Sequence, residues 1–506
     1  MRRTRTLLSA LPLAALLVTT VTQLAPSAAA AETTACATVP VTAPSGAKIE
    51  SVQAEAKPGY CEITVTLTHP GANDHVKVGV ALPQTGWTGR LQAVGGSAYA
   101  AGDFGAPLAQ AAKDGYAGVT TDAGVLSGLD TSWALTAPGK VDQPLLTNFA
   151  TRSVHEAALI GKDVTQRFYH RPVTYSYWNG CSTGGRQGYS EAQNYPGDFD
   201  GILANAPAVH WTQFAVATLW PQIVMNQEHD FPSACVFTAF RQAAVQACDA
   251  NDGVKNGIVD RPDECSYDPR SLIGTKVLCD GKEITVTAKD ADVMRKIWAG
   301  PTDERERKLW DGLPKGADFT WLAGTGDSPY ATGFPVAVKW VQSFVEKQAD
   351  FDVSKLSYAQ FAQVFRQSVR EYDDVIGTAD PDLSAFRRTG GKLLTFVGTD
   401  DQLIPPGGTL RYRAEVERAM GGAHRVNDFY RLFLAPGVEH CGGGTGATPT
   451  NPLGALVDWV EHGKAPATLA AATADGKQTR DLCAYPRVSR YKGYGDPAVA
   501  SSYRCR

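Results

Sequence analysis

Residues 180–188 read G-C-S-T-G-G-R-Q-G, and the fold turns on how that stretch is read. Gly180-Cys181-Ser182-Thr183-Gly184 matches G-x-S-x-G. Thr174 to Trp178 (TYSYW) before it reads as a strand, and Tyr189 to Tyr195 after it continues a helical pattern, the context that the motif requires. A strand that reverses sharply into a helix while exposing a serine oxygen leaves no room for side chains at the flanking positions, so the glycines are a steric requirement. The helix beginning there aims its first backbone N–H groups at the serine, and the Thr183 N–H is expected to donate to a developing oxyanion.

Regular α/β texture extends from this turn in both directions. Upstream, Val76 to Leu82 (VKVGVAL) and Leu91 to Val94 read as strands separated by P-Q-T-G-W-T-G, and residues 155–168 space their apolar positions as a helix does. Downstream, Gly201 to Ala204 fits a buried parallel strand. Lys392 to Val397 (KLLTFV) ends in G-T-D-D, and Asp428 to Leu434 (DFYRLFL) leads to Pro436-Gly437 and His440. Asn451 as cap and Pro452 in the first turn start a helix through about His462. Between about Pro207 and Arg387 the texture changes to tryptophans and short helical patterns, which reads as an insertion. Its clearest helix, Tyr358 to Tyr372, repeats Tyr358, Phe361, Phe365 and Val369 as a core-facing stripe.

Ser182 therefore has partners in the order Ser, Asp, His, each just after a strand. Asp401, in G-T-D-D-Q-L-I-P-P, is the expected acid, with Asp400 as its rival. His440 is the expected base, because His424 precedes the last strand and His462 sits near a helix C-terminus. The second oxyanion donor is expected from the glycine loop after Val94, at Gly96, with Gly95 and Ser97 as neighbours in contention.

A cysteine stands beside each reacting residue, Cys181 before Ser182 and Cys441 after His440. A bond between them would hold their Cα atoms within roughly 4.4–6.8 Å and so clamp nucleophile against base.

The first residues, MRRTRTLLSALPLAALLVTTVTQLAPSAAAA, have the charged, apolar and small-residue regions of a secretory signal, with cleavage expected near Ala30 or Ala31. Removing Arg2, Arg3 and Arg5 takes the net charge from -4 to -7, which disfavours nucleic acids and acidic membranes as partners and suits a small or neutral substrate. No later segment approaches the roughly 20 apolar residues that span a bilayer, so a soluble exported protein is expected. All ten cysteines lie beyond the signal, an even number that points to five disulfides.

A second chemical feature is Cys248-Asp249-Ala250-Asn251-Asp252-Gly253-Val254-Lys255-Asn256-Gly257-Ile258-Val259-Asp260, bounded by Cys265. Alternating oxygen donors and glycines suit a hard cation such as Ca2+: side chains of Asp249, Asp252 and Asn256, and carbonyls of Val254 and Ile258. It is not an EF-hand, because the frame from Asp252 has Val254 where an oxygen side chain belongs. Such an ion is expected to be structural and away from Ser182.

At these residues the chain resembles the tannase and feruloyl esterase family, secreted serine esterases of the α/β-hydrolase fold that also include a bacterial hydrolase of mono(2-hydroxyethyl) terephthalate. The resemblance spans nearly all of the mature chain. It rests on G-C-S-T-G-G-R-Q-G, N-A-P-A at 205–208, D-P-D-L-S-A-F-R at 380–387 followed by G-G-K-L-L, G-T-D-D-Q-L-I-P-P, E-H-C-G-G-G at 439–444 and L-V-D-W-V-E-H-G-K-A-P. It implies an α/β fold of the α/β-hydrolase type with a large inserted lid: signal 1–31, catalytic domain 32–206 and 388–506, lid 207–387 with a calcium loop. It implies Ser182 as nucleophile, Asp401 as acid, His440 as base and the clamp Cys181–Cys441. By the same resemblance Cys248 would pair with Cys265, Cys36 with Cys61 and Cys483 with Cys505, leaving Cys235 with Cys279. The family's calcium pattern often has Asp where Asn256 stands, and the loop V-G-G-S-A-Y-A lacks a longer glycine run.

The implied activity is hydrolysis of hydroxycinnamic esters, with no organic cofactor. Galloyl esters are the close alternative, and a catalytically silent phenolic or carbohydrate binder the remote one. Trp211, Trp220, Phe319, Trp321 and Phe334 are candidates to stack on the acyl ring, with packing as the competing role for each.

Overall fold

The computed structural model describes residues 35–125, 128–320, 322–323 and 333–506; the expected leader and Trp321 lie outside the described residues. Nine strands form the central sheet: β1 (Lys48–Lys57), β2 (Tyr60–Thr68), β3 (Val76–Pro83), β4 (Arg90–Val94), β5 (Ala117–Thr121), β6 (Tyr175–Cys181), β7 (Gly201–Asn205), β8 (Lys392–Gly398) and β9 (Tyr430–Ala435). Their order across the sheet is β1-β2-β3-β5-β4-β6-β7-β8-β9. From β5 to β9 every pairing is parallel. The β1–β2–β3–β5 side is antiparallel.

The sheet is buried on both faces, as a parallel sheet must be. On one face, helix Ser153–Tyr169 lays Val154, Ala158, Ile160 and Val164 over Val78, Val80, Leu91 and Val119. On the other, Leu456 and Trp459 of helix Pro452–His462 pack with Tyr177, Leu203, Leu394 and Phe396. Asn451 caps that helix, accepting from the Gly454 N–H at 3.0 Å.

Register decides where the chemistry goes. Val94 pairs with Asn179, Cys181 with Asn205, and Gly398 with Ala435. The carboxyl ends of β4, β6, β7, β8 and β9 therefore point the same way, and the loops that follow them share one edge of the sheet. The described residues between β7 and β8 lie outside the sheet. They carry helices Trp211–Ala217, Trp220–Glu228, Ala234–Cys248, Ala288–Ala299 and Tyr358–Ile376. The last is opened by a capping box between Ser357 and Gln360 and buries Phe361 and Phe365. Their core is continuous with residues from before β6: Tyr99, Trp133 and Phe149 pack in one cluster with Trp211, Trp340 and Phe344.

Four of the aromatics offered for ring stacking are spent in packing. Trp211 is enclosed by Tyr99, Phe149, Phe214 and Trp340, Trp220 by Tyr358 and Phe361, and Phe319 by Phe237; Phe334 is buried in the same cluster. The apolar area that each removes from water outweighs what an exposed binding role would leave it.

Candidate active site

Ser182 sits at the turn between β6 and helix Thr183–Asn194, with φ 64° and ψ −120°. That conformation is costly for a residue with a Cβ and is held by its surroundings. The Ser182 N–H donates to the Asn205 carbonyl at the end of β7 (3.0 Å), and Gly184 N–H to the Gly96 carbonyl after β4 (2.9 Å). A Cβ at Gly180 would lie 2.5 Å from the Gly184 backbone, and one at Gly185 2.4 Å from the Asn205 carbonyl oxygen. Neither neighbour can yield.

The remaining letters of the motif have work that sequence reading did not assign. Arg186 is fully buried and donates to the carbonyls of Ala150 (2.8 Å) and Phe149 (3.2 Å), lying against the Phe149 and Trp211 rings. Burial pulls its guanidinium down to about 9. Gln187 spans the glycine loop, accepting from the Gly96 N–H at 3.0 Å and donating to the Ala101 carbonyl at 2.8 Å. Thr183 Oγ1 donates to the Ala98 carbonyl at 2.7 Å.

The Gln187 contact corrects one expectation. Gly96 N–H is already given to Gln187, and Gly95 N–H to the Asn179 carbonyl at 3.0 Å, so neither is free for an oxyanion. That leaves the next amide in the loop, Ser97, as the candidate to join Thr183.

Asp401 and His440 form the second half of the site. His440 Nδ1 meets Asp401 Oδ2 at 2.9 Å and Oδ1 at 3.1 Å, and Asp401 is fully buried. Asp401 Oδ1 also accepts from the N–H groups of Leu403 (3.0 Å) and Ile404 (2.8 Å), which fix the carboxylate. The His440 backbone N–H donates to Gln402 Oε1 at 3.2 Å. Asp400, the rival acid, turns the other way: it lies under Gly316, where a Cβ would meet both carboxyl oxygens at 2.6 Å. Burial, with Glu439 nearby, pushes its carboxyl up to about 7. Nothing in the structure bonds it to His440.

The two halves are tied covalently. Cys181 and Cys441 are bonded, with Cα atoms 5.9 Å apart across 260 residues of sequence. Cys441, like Ser182, has a left-handed backbone, φ 63°. The other four bridges pair Cys36–Cys61, Cys235–Cys279, Cys248–Cys265 and Cys483–Cys505, so all ten cysteines are bonded.

The oxygen-rich loop follows helix Ala234–Cys248. Asp249 accepts from the N–H groups of Asn256 (3.0 Å) and Gly257 (3.1 Å), Asp252 Oδ1 from Val254 (3.0 Å), and Asn256 Oδ1 from Ile258 (3.1 Å). Asp252 Oδ2 and Asp260 Oδ1 are buried without a partner. Burial, with repulsion from Asp252, pushes the Asp260 carboxyl up to about 6 although Arg480 pairs with its other oxygen at 2.6 Å. Two buried carboxyl oxygens without a hydrogen-bond donor fit a hard cation. Among the described residues no three His, Cys, Asp or Glu side chains form a metal-binding group, so a cation would draw on Asn256 and the Val254 and Ile258 carbonyls as well as Asp249 and Asp252. Nor is the loop remote from the site. A Cβ at Gly437, in the loop leading to His440, would lie 3.0 Å from Ile258 Cγ2.

A parallel sheet whose strand ends present a serine elbow, an Asp-held histidine and an oxyanion loop defines an α/β-hydrolase with a Ser–His–Asp site. The sequence matches the family model "Tannase and feruloyl esterase" over residues 61–506. The chain belongs to that family. It is 47% identical over 458 residues to a probable feruloyl esterase of Arthroderma benhamiae, covering 88% of this chain and 85% of that protein. It is 30% identical over 488 residues to feruloyl esterase B of Aspergillus niger, covering 91% and 89%. Among solved structures, tannin acyl hydrolase from Aspergillus niger superposes with a TM-score of 0.83 at 26% identity, covering 92% of this chain and 93% of that one. The protein is thus a carboxylic ester hydrolase.

Proposed function

We propose that the protein is an exported serine esterase that releases hydroxycinnamic acids from their esters. His440, its Nδ1 held by Asp401, takes the Ser182 proton at Nε2. Ser182 attacks the ester carbonyl, and the oxyanion rests on the N–H groups of Thr183 and Ser97. The alcohol leaves with the proton from His440, and water, activated by the same imidazole, releases the acid. The observation that carries this reading is the Asp401–His440 pair, bound through Cys441–Cys181 to the residue beside Ser182. The 47% likeness to a probable feruloyl esterase favours the hydroxycinnamoyl group.

A galloyl ester is the second reading, favoured by the superposition on tannin acyl hydrolase. Initial rates on methyl ferulate and methyl gallate separate the two: ferulate release is expected to be faster, and the reverse order makes the protein a tannase. A fluorophosphonate is expected to label Ser182, and folded protein that resists it would be a binder rather than an enzyme. Five disulfides support export, since such bonds persist in oxidising compartments. Among the described residues no helix is long and apolar enough to cross a membrane. We also propose a structural Ca2+ held by Asp249, Asp252, Val254, Asn256 and Ile258; it would neutralise the loop's acids and take no part in the acyl transfer.

A further inference from the structure

Near the chain's end, strands Ser489–Tyr491 and Tyr503–Cys505 form a two-stranded antiparallel ribbon in which Arg490 stands directly opposite Arg504. Directly opposed residues share a face, and like charges there repel. The pairing continues as Val488 and Arg506 exchange backbone hydrogen bonds of 2.8 and 3.0 Å, and the two-residue alternation places Arg506 on the face of Arg504. All three arginines are exposed, and none has an ion-pair partner among the described residues. A fourth, exposed Arg487, adds its repulsion to the burial that lowers the Arg431 guanidinium.

The face is rigid. Cys505 is bonded to Cys483, and on the inner side Tyr491 packs on Tyr503 (5.6 Å), whose ring lies under Arg480 (4.0 Å). The turn beyond the ribbon holds Tyr494 72% exposed between Gly493 and Gly495, and Tyr491 Oη donates to the Gly495 carbonyl at 2.7 Å. An open aromatic ring thus stands in the turn at the end of the ribbon that carries the unpaired guanidinium groups.

From this juxtaposition we propose that the ribbon docks a carboxylate-bearing polysaccharide, uronate groups pairing with Arg490, Arg504 and Arg506 and a sugar ring lying on Tyr494. Guanidinium forks match carboxylates two bonds at a time, and a ring such as tyrosine offers an apolar face with a polar tip. Three or four arginines are too few to match the charge density of duplex DNA, about one charge per 1.7 Å, and among the described residues no apolar helix accompanies them for a lipid surface. The inference is independent of which acyl group Ser182 accepts; it gives the enzyme a hold on the polymer separate from its hold on the ester.

Native affinity gels cast with polygalacturonate test it on the full-length enzyme, with neutral xylan gels, duplex DNA and phosphatidylserine vesicles alongside. Polygalacturonate is expected to retard the enzyme at low salt and to lose its hold at about 0.5 M NaCl, where charge pairs are screened within a few Å. The Arg490→Gln/Arg504→Gln/Arg506→Gln variant should bind at least about tenfold more weakly, and Tyr494→Ala should also weaken binding. Methyl ferulate turnover should be unchanged in both, which also reports that they are folded; the single Arg504→Gln variant repeats the test with the least perturbation. Retention of the triple variant equal to that of the parent, absence of retardation in the parent, equal retardation by xylan, or tighter binding to DNA or vesicles than to polygalacturonate would each overturn the proposal.

Discussion

Ile258 of the oxygen-rich loop lies against Gly437, three positions before His440, so close that a side chain at 437 would sit 3.0 Å from its Cγ2. Gly437 N–H is in turn held by Thr399 Oγ1 at 3.0 Å, beside the Asp401 turn. Ile258 is buried, and Ile258→Ala is expected to cost about 2–5 kcal/mol of stability in denaturant titrations. Because the void opens against Gly437 in the loop that carries the base, kcat on methyl ferulate should fall while KM stays nearly constant. EGTA should lower Tm in the same direction, and Ca2+ should restore it.

Asp400 and Asp401 are neighbours in sequence with opposite expected phenotypes. Asp401→Asn leaves His440 Nδ1 with a poorer orienting partner and should lower kcat by about 10^3–10^4. Asp400→Asn should leave kcat within a few fold.

The Asp400 substitution should instead change the pH dependence of stability. Its folded value, about 7, lies above that of an ordinary carboxyl. The folded state therefore holds the extra proton, and the group destabilises increasingly as pH rises from about 4 to about 7. Asp400→Asn should gain on the parent protein over that range, by on the order of 2–4 kcal/mol at pH 8. Denaturant midpoints from pH 5 to 8 check the slope.

Gln187 joins the nucleophile's helix to the glycine loop through two hydrogen bonds. Gln187→Met keeps its length and loses both. A kcat drop of about 10–100-fold with little change in KM is expected, because the Ser97 amide would no longer be held where the oxyanion forms.

Replacing Cys181 and Cys441 together by alanine opens a link between positions 260 residues apart. The chain-entropy contribution of so long a loop is at most about 5.5 kcal/mol. A loss of stability without a loss of kcat would show the bond to be a staple only; a kcat decrease of about 100-fold or more in folded protein is expected.

The parts of the fold that were legible are those where one residue type is physically forced. The elbow was visible because Gly180, Gly184 and Gly185 meet backbone that cannot move, and β8 because KLLTFV is apolar throughout, as a strand buried on both sides must be. β1, β2 and β5 were not anticipated. β1 exposes much of its length, β2 alternates over nine residues with a cysteine and a glutamate near its start, and β5 is a five-residue A-G-V-T-T of weak pattern. At the site, Asp401, His440 and the Cys181–Cys441 bond follow from neighbours in sequence. The oxyanion loop does not, because whether the Gly96 amide is free depends on Gln187, 91 residues away. The four described ring-stacking candidates took the competing packing role for a similar reason: an aromatic residue in a sequence does not say which side of it will be covered.

The continuity of Tyr99, Trp133 and Phe149 with Trp211, Trp340 and Phe344 makes the described part of the insertion a fixed wall rather than a hinged door. Swinging it away would tear a shared aromatic interior open to water, at a cost comparable to partial unfolding. The enzyme should therefore show no interfacial activation: its rate should climb smoothly with ester concentration, without the jump at the solubility limit that marks lipases waiting for an oil surface.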